Sequence, residues 1–194
     1  LPAPTSNQVY AHCTEVGIPI ARNAAMDVAL ELGADRIAFL DDDEVAPPGW
    51  LEALWDAMTQ SGADALQGSV RQMPAGSDLE AVAIPPGDVT WEDDESLATN
   101  NVIFTADLVR PPLSLRFDES MRFSGGSDRE YFMRAHKRGA KVVRAYGADV
   151  LEELAVGRET LRYLCLRSFA AGCNYNTRMM KNEPVWRAVP RIAL

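Results

Sequence analysis

At 194 residues, 47% of them apolar, the chain is long enough for one domain with a real core and leaves little room for a second. The net charge of -9 and the lack of any recognisable nucleic-acid-binding module exclude nucleic acid as an expected partner. No stretch is long and apolar enough to span a bilayer, the first residues do not look like a signal peptide, and three cysteines imply no disulfide framework, so a reducing, cytoplasmic setting is expected.

The charge is unevenly spread. From Arg158 onward seven basic residues face two acids, a segment of +5 that leaves -14 on residues 1–157. An acidic protein repels a phosphorylated ligand unless a metal or a local basic patch intervenes. The basic segment is expected to be such a patch, or a surface held against anionic lipid. Residues 1–157 are therefore read as the core and 158–194 as a basic helical segment packed on or next to it.

In chain order the elements alternate. Residues 20–32 predict a helix, with Ala25, Val28, Ala29 and Leu32 on one face and Gly33 where a C-terminal cap belongs. Ile37 to Leu40 read as a fully buried strand of a parallel sheet, which ends in Asp41-Asp42-Asp43-Glu44. An extended chain would turn Asp41 and Asp43 to one side and Asp42 and Glu44 to the other. Adjacent carboxylates repel unless a cation sits between them, and a hard, oxygen-ligated divalent ion shared with substrate phosphates would serve. A solvated acidic turn is the plainer alternative.

Pro47-Pro48-Gly49 precedes a second helix striped by Leu51, Leu54, Trp55 and Met58, on which Trp55 is expected in the core and only Trp50, at the helix start, as a candidate sugar-stacking contact. Residues 65–70 predict a strand, and 72–100 a long, functional or mobile connection. Asn100 to Phe104 resume a strand. Gly125-Gly126 allow close backbone approach to a ligand. Ser127 and Glu130 have the spacing of a capping box at the start of a helix running to Gly139. Asp128 in its first turn is either a helix-dipole acid or a general base at the mouth of a crevice. Residues 141–145 and 149–154 predict two short strands, and an amphipathic helix is expected to begin near Arg158. This alternation favours an α/β domain with a mostly parallel sheet.

The motifs Gly17 to Asn23, Phe39 to Glu44 with Pro48-Gly49-Trp50-Leu51, Thr99 to Phe104, Arg116 to Glu119, Gly125 to Asp128 and Arg134 to Gly139, in that order, resemble the family 2 glycosyltransferases. The likeness spans residues 15 to about 175 and looks closest to the bacterial exopolysaccharide branch. It implies the GT-A fold and an inverting, metal-dependent transfer from a nucleoside-diphosphate sugar, a UDP-sugar above all, to a saccharide or lipid-linked acceptor. By position, Arg22 would hold the nucleotide and Asp41 would contact its ribose side. Asp42, Asn101, Gly125 and Gly126 would line the donor site, and Arg158 and Arg162 would help bind the diphosphate. Asp43 would ligate Mn2+ or Mg2+, and Asp128 would take the acceptor proton. Many relatives carry a histidine ligand in the late strand. Here that strand has none, and Glu153, or Glu152, would substitute. The family also begins with a strand-helix-strand unit that this chain lacks, so an N-terminally incomplete core is expected. The rival reading is a non-catalytic nucleotide- or sugar-binding fragment of the same fold, or a partner-binding one. Nucleotidyl transfer would call for a lysine-rich glycine loop, and none is visible.

Overall fold

The computed structural model describes residues 8–154 except Ser96 and Ser124, together with some positions between 160 and 172. The helices bounded in residues 8–154 are α1 (Ile18–Glu31), α2 (Trp50–Ser61), the single turn α3 (Leu79–Val82) and α4 (Ser127–Lys137), with 3-10 turns at Ala106–Leu108 and Glu119–Met121. The strands are β1 (Arg36–Phe39), β2 (Glu44–Val45), β3 (Ala65–Gln67), β4 (Val70–Met73), β5 (Thr90–Asp93), β6 (Val102–Thr105), β7 (Val142–Tyr146) and β8 (Val150–Glu153). A five-stranded sheet runs β1-β6-β3-β7-β5, and a smaller one β2-β8-β4.

The class is α/β, as expected, with a mixed sheet. Pairing is parallel in β3·β7 and β4·β8 and antiparallel in β1·β6, β3·β6, β5·β7 and β2·β8. The strand expected to be buried on both faces, β1, stands at the end of the five-stranded ladder. Ile37 is buried and Ala38 exposed. A short apolar run carries no mark of whether a neighbour covers each face, which is why periodicity misjudged it.

Two apolar layers flank the large sheet. On one side Phe104, Phe117, Tyr131 and Phe132 form an aromatic cluster, with Tyr131 stacked on Phe117 at 4.3 Å between centroids. On the other, Leu54, Ala57 and Met58 of α2 pack on Leu66, Ile103 and Val143. The stripe expected on α2 is therefore only half buried. Trp55 is 47% exposed with the Arg36 guanidinium 3.9 Å from its ring, while Trp50 donates from Nε1 to Asn101 Oδ1 at 2.6 Å. Trp55 is thus not the core residue that helical spacing suggests, and Trp50 is half-buried.

On α1 the buried residues are Pro19, Asn23 and Met26, and Leu32 is 68% exposed. The face expected to be core instead lines a shallow groove with Val9, Tyr10 and Cys13. Asn23 explains the difference. Its Oδ1 accepts from Phe117 N (2.9 Å), while its Nδ2 donates to Phe117 O (3.1 Å) and Glu119 Oε1 (2.8 Å). A buried amide with every group satisfied outweighs an apolar stripe of two alanines, a valine and a leucine in choosing the packed face.

The long connection 72–100 is partly ordered by α3, capped by the Asp78 carboxylate on Ala81 N, and by β5. Among the described residues two buried hydroxyls, those of Thr99 and Tyr131, have no partner, and burial drives the Tyr131 hydroxyl well above its ordinary pKa. Tyr131→Phe removes that group and keeps the ring stack. It is expected to leave stability unchanged or raise it by about 1 kcal/mol, as urea unfolding would show.

Candidate active site

Strand β1 delivers its acids to the rim of the large sheet, where the chain turns at once. Glu44 N bonds back to Asp41 O at 3.2 Å, and β2 starts at Glu44. The expected strict alternation thus stops at Asp41, because the chain there is a turn. Asp41, Asp42 and Asp43 are exposed, whereas Glu44 is only 9% exposed.

A cleft of about 400 Å³ opens beside this turn, walled by Asp41, Asp43, Glu44, Ala98, Asn100, Asp128, Arg129 and Glu152. Three elements converge there. The β1–β2 turn brings Asp41 and Asp43. The first turn of α4 brings Asp128 and Arg129, and β8, paired with β2 through Glu44 and Glu152, brings Glu152. A second cleft of about 460 Å³ lies on the other side of the turn. Arg22, Ile18, Ala21 and Ala25 of α1 line it with Phe39, Leu40 and Asp41 to Asp43. Asp41 and Asp43 stand in the wall common to both.

Asp128 is in the first turn of α4, its Oδ1 accepting from Arg129 N at 2.8 Å. The capping box does not form. The helix is capped by Gly126 in the left-handed region (φ 77°), Ser127 is buried as the first helical residue, and Glu130 pairs with Arg134 at 2.7 Å. Gly125 is left-handed too (φ 71°). Both glycines are thereby accounted for by the turn that leads Asp128 into the cleft.

The electrostatics couple the two clefts. Burial lowers the Arg22 guanidinium from its ordinary value against the opposing pull of Asp128 and Asp41. Burial also raises Asp41, which Arg22 opposes and Asp43, Asp42 and Asp128 reinforce. Glu44 is raised to about 7, chiefly by burial and then by Asp41 and Glu152, while hydrogen bonds from Asp41 N and Asn100 hold it down. The folded state therefore binds this proton more tightly than the unfolded chain. The resulting stabilisation is full below the unfolded value near 4.5 and is lost as pH rises through about 7. In the metal-free protein, stability is expected to fall by up to ~3 kcal/mol over that range. Glu44→Gln should flatten this dependence in melts taken from pH 4.5 to 8.

Other expected site residues are placed differently. Asn101 is fully buried with a left-handed backbone (φ 51°). Its Nδ2 donates to Ser69 O (2.7 Å) and Ala148 O (2.8 Å), and its Oδ1 accepts from Trp50, so it has no group to offer a donor. The cleft residue of that pair is Asn100. In β8 the cleft residue is Glu152, not Glu153, whose Oε1 accepts from Gly76 N at 2.6 Å outside it. Successive side chains of a strand face opposite ways, so only one of two adjacent glutamates could serve. Arg158 lies outside the described residues, as does most of the basic segment. Arg162 is described and exposed.

Sequence reasoning passed over Arg129, Asn100 and the inward role of Glu44. Arg129 carried the one available signal, directly following Asp128. No group of three or more Asp, Glu, His or Cys converges as a metal cage among the described residues. The cleft nevertheless suits a hard divalent ion that shares its ligands with a diphosphate and water, because its donors are all oxygens and nothing soft competes. No helix among the described residues is long and apolar enough to cross a membrane.

The chain is 29% identical over 197 aligned positions to the succinoglycan biosynthesis protein ExoM of Rhizobium meliloti (strain 1021). The match covers 96% of this chain and 60% of that protein, so the chain spans about three-fifths of the curated relative's length. The crystal structure of S. aureus TarS 1-349 in complex with UDP-GlcNAc superimposes with a TM-score of 0.50 at 15% identity. It covers 73% of this chain and 39% of that one, a likeness of GT-A fold. The family model for glycosyl transferase family 2 matches residues 6–112, more than half of the chain and inclusive of the whole acidic turn. The chain belongs to glycosyl transferase family 2.

Proposed function

We propose that the chain forms the catalytic core of an inverting glycosyltransferase. It would move a sugar from a nucleoside-diphosphate sugar to a saccharide or lipid-linked saccharide during cell-surface polysaccharide assembly. The observation that carries this reading is the shared wall. Asp41 and Asp43 separate a cleft containing Arg22 from one containing Asp128. A donor lying across that wall puts its nucleoside among Ile18, Ala25 and Phe39 and its sugar before Asp128.

The chemistry follows from the residues. Arg22 binds the anionic side of the nucleotide with a planar guanidinium fork. Asp128 accepts the proton of the acceptor hydroxyl as that oxygen attacks the anomeric carbon and the bond to the diphosphate breaks. One displacement from the opposite face inverts the configuration. Arg129 contributes positive charge to the same cleft. Asp43 and Glu152 are the residues that would hold Mn2+ or Mg2+, and a divalent ion there supplies positive charge to the departing diphosphate. A UDP-sugar is the expected donor. Peripheral contact with an anionic membrane at the cytoplasmic face is proposed for the basic segment after Arg158.

The test is calorimetry with UDP, with and without Mn2+. Asp43→Ala is expected to abolish the Mn2+-dependent part of binding, at least tenfold in affinity, while the thermal transition stays cooperative. Retention of wild-type Mn2+-dependent affinity by that variant would reject the assignment. Asp42→Ala should cost less, because Asp42 lines only the nucleoside cleft.

A further inference from the structure

A line of side chains under the cleft floor begins and ends on a backbone N–H, and its hydrogen-bond directions follow from that. At one end Ala98 N donates to Gln67 Oε1 at 2.9 Å. Gln67 is 4% exposed in the middle strand β3, and its Nε2 donates to Asn100 O (3.2 Å) and Asn100 Oδ1 (3.1 Å). Asn100 Nδ2 then donates to Glu44 Oε1 at 3.2 Å. At the other end Asp41 N donates to Glu44 Oε2 at 3.1 Å.

A backbone N–H can only donate, so neither end can reverse. Ala98 requires an oxygen from Gln67, which points the Gln67 amide nitrogen at Asn100. Asn100 must answer with its oxygen and so present its nitrogen to Glu44. Asp41 N–H approaches Glu44 from the far side, also as a donor. Two donors meet on one side chain, and only a carboxylate accepts on both sides without a proton of its own.

We infer that Glu44 is the positioning residue of the cleft. Its carboxylate ties the Asp41–Asp43 turn, through Asn100 and Gln67, to the central strand of the sheet. The functional weight of this inference rests on the reading of the cleft as a donor site, whereas the polarity of the relay does not. Glu44 acts through the turn rather than on the substrate. Its task is to hold three exposed, mutually repelling aspartates in one register by two bonds from a buried anchor.

The polarity makes a specific prediction. Glu44→Gln keeps the shape of the side chain but sets an NH2 against either Asp41 N–H or Asn100 NH2. Flipping Asn100 and then Gln67 only moves the conflict to Ala98 N–H, which cannot flip. Asn100→Asp alone sets two carboxylates face to face. The double variant Glu44→Gln with Asn100→Asp moves the carboxylate one station along. Asp at 100 accepts from Gln67 and from the new amide, whose oxygen accepts from Asp41 N–H, and every direction is satisfied again.

The experiment uses the full chain at about pH 8.5, above the value to which burial raises Glu44. The exchange rate of the Asp41 amide proton is measured by NMR and the affinity for UDP with Mn2+ by calorimetry. Each single variant is expected to speed Asp41 exchange roughly tenfold and to weaken UDP–Mn2+ binding. The double variant should return both to within about threefold of wild type. Unchanged exchange in Glu44→Gln, or a double variant no better than the singles, would overturn the inference. If a single variant does not fold, recovery of a cooperative melt in the double supports the relay, and failure to recover overturns it. Absence of UDP binding by the wild type would count against the donor reading, while Asp41 exchange would still judge the relay.

Discussion

Asp128→Asn is expected to lower sugar transfer by about a thousandfold, within the range that a positioned general base contributes. The substitution keeps size and shape, and an amide oxygen can still accept from Arg129 N, so α4 should start as before. What disappears is an anion able to take a proton from the acceptor hydroxyl. Affinity for UDP should change far less, because Asp128 lines the cleft assigned to the sugar and not the one lined by Arg22. The Arg22 guanidinium loses one of the two carboxylates that favour its charged form, which limits any change on the nucleotide side to a modest one. Product formation from a UDP-sugar, followed together with the anomeric configuration of the product, checks the assignment. Transfer within tenfold of wild type, or a product of retained configuration, would remove Asp128 from the role of base.

The largest structural effect is expected at Gly68. The chain passes there from β3 in the large sheet to β4 in the small one, and Gly68 N donates to Asn101 O at 2.8 Å. A Cβ on this residue would sit 2.5 Å from Ala148 O and 2.5 Å from Asn101 Nδ2. Neither neighbour can retreat cheaply. The first is backbone, and the second is held by Ser69 O and Ala148 O while its amide oxygen binds Trp50. Gly68→Ala must therefore push the two sheets apart or break buried hydrogen bonds. Overpacking costs about 1–3 kcal/mol. Each buried polar group left unsatisfied adds about 1–3 more. A loss of about 4 kcal/mol takes a large share of the 5–15 kcal/mol typical of a folded domain. Differential scanning calorimetry should show a melting point lowered by roughly 10 °C. Asn101→Ala should be comparably costly, since Ala148 O and the Trp50 indole N–H lose their bonds to it and Ser69 O keeps only the one from Val150 N.

The site could be read in advance only in part. Composition and alternation were enough for an α/β domain, for helices at α1, α2 and α4 and for strands ending in an acidic turn, because each depends on local periodicity or on glycine and proline punctuation. Motif order was enough for the family, and the residues it singled out, Arg22, Asp41, Asp43 and Asp128, line the two clefts. Asn100-Asn101 and Glu152-Glu153 were also noticed, but Asn101 was named where Asn100 lines the cleft, and Glu153 was named with Glu152 as its alternative. Adjacent residues are equivalent to a local rule, and only the partners decide. Asn101 is claimed by Ser69, Ala148 and Trp50, from segments 32, 47 and 51 residues away. Glu153 is claimed by Gly76, 77 residues away.

By itself, then, the sequence determined helices α1, α2 and α4 and the strands β1, β3, β6, β7 and β8, that a cluster of carboxylates ends one strand, and that the chain resembles a sugar-transferring family. The tertiary structure alone decided that the sheet is mixed and that Asn23 chooses the buried face of α1. It also decided that Glu152 and Asn100 face the cleft and that Glu44 is its buried anchor. The physical reason is range. Periodicity, capping and turn chemistry act within about four residues, whereas the direction of a hydrogen bond to Asn100 or Asn101 depends on donors and acceptors that only folding brings within 3 Å.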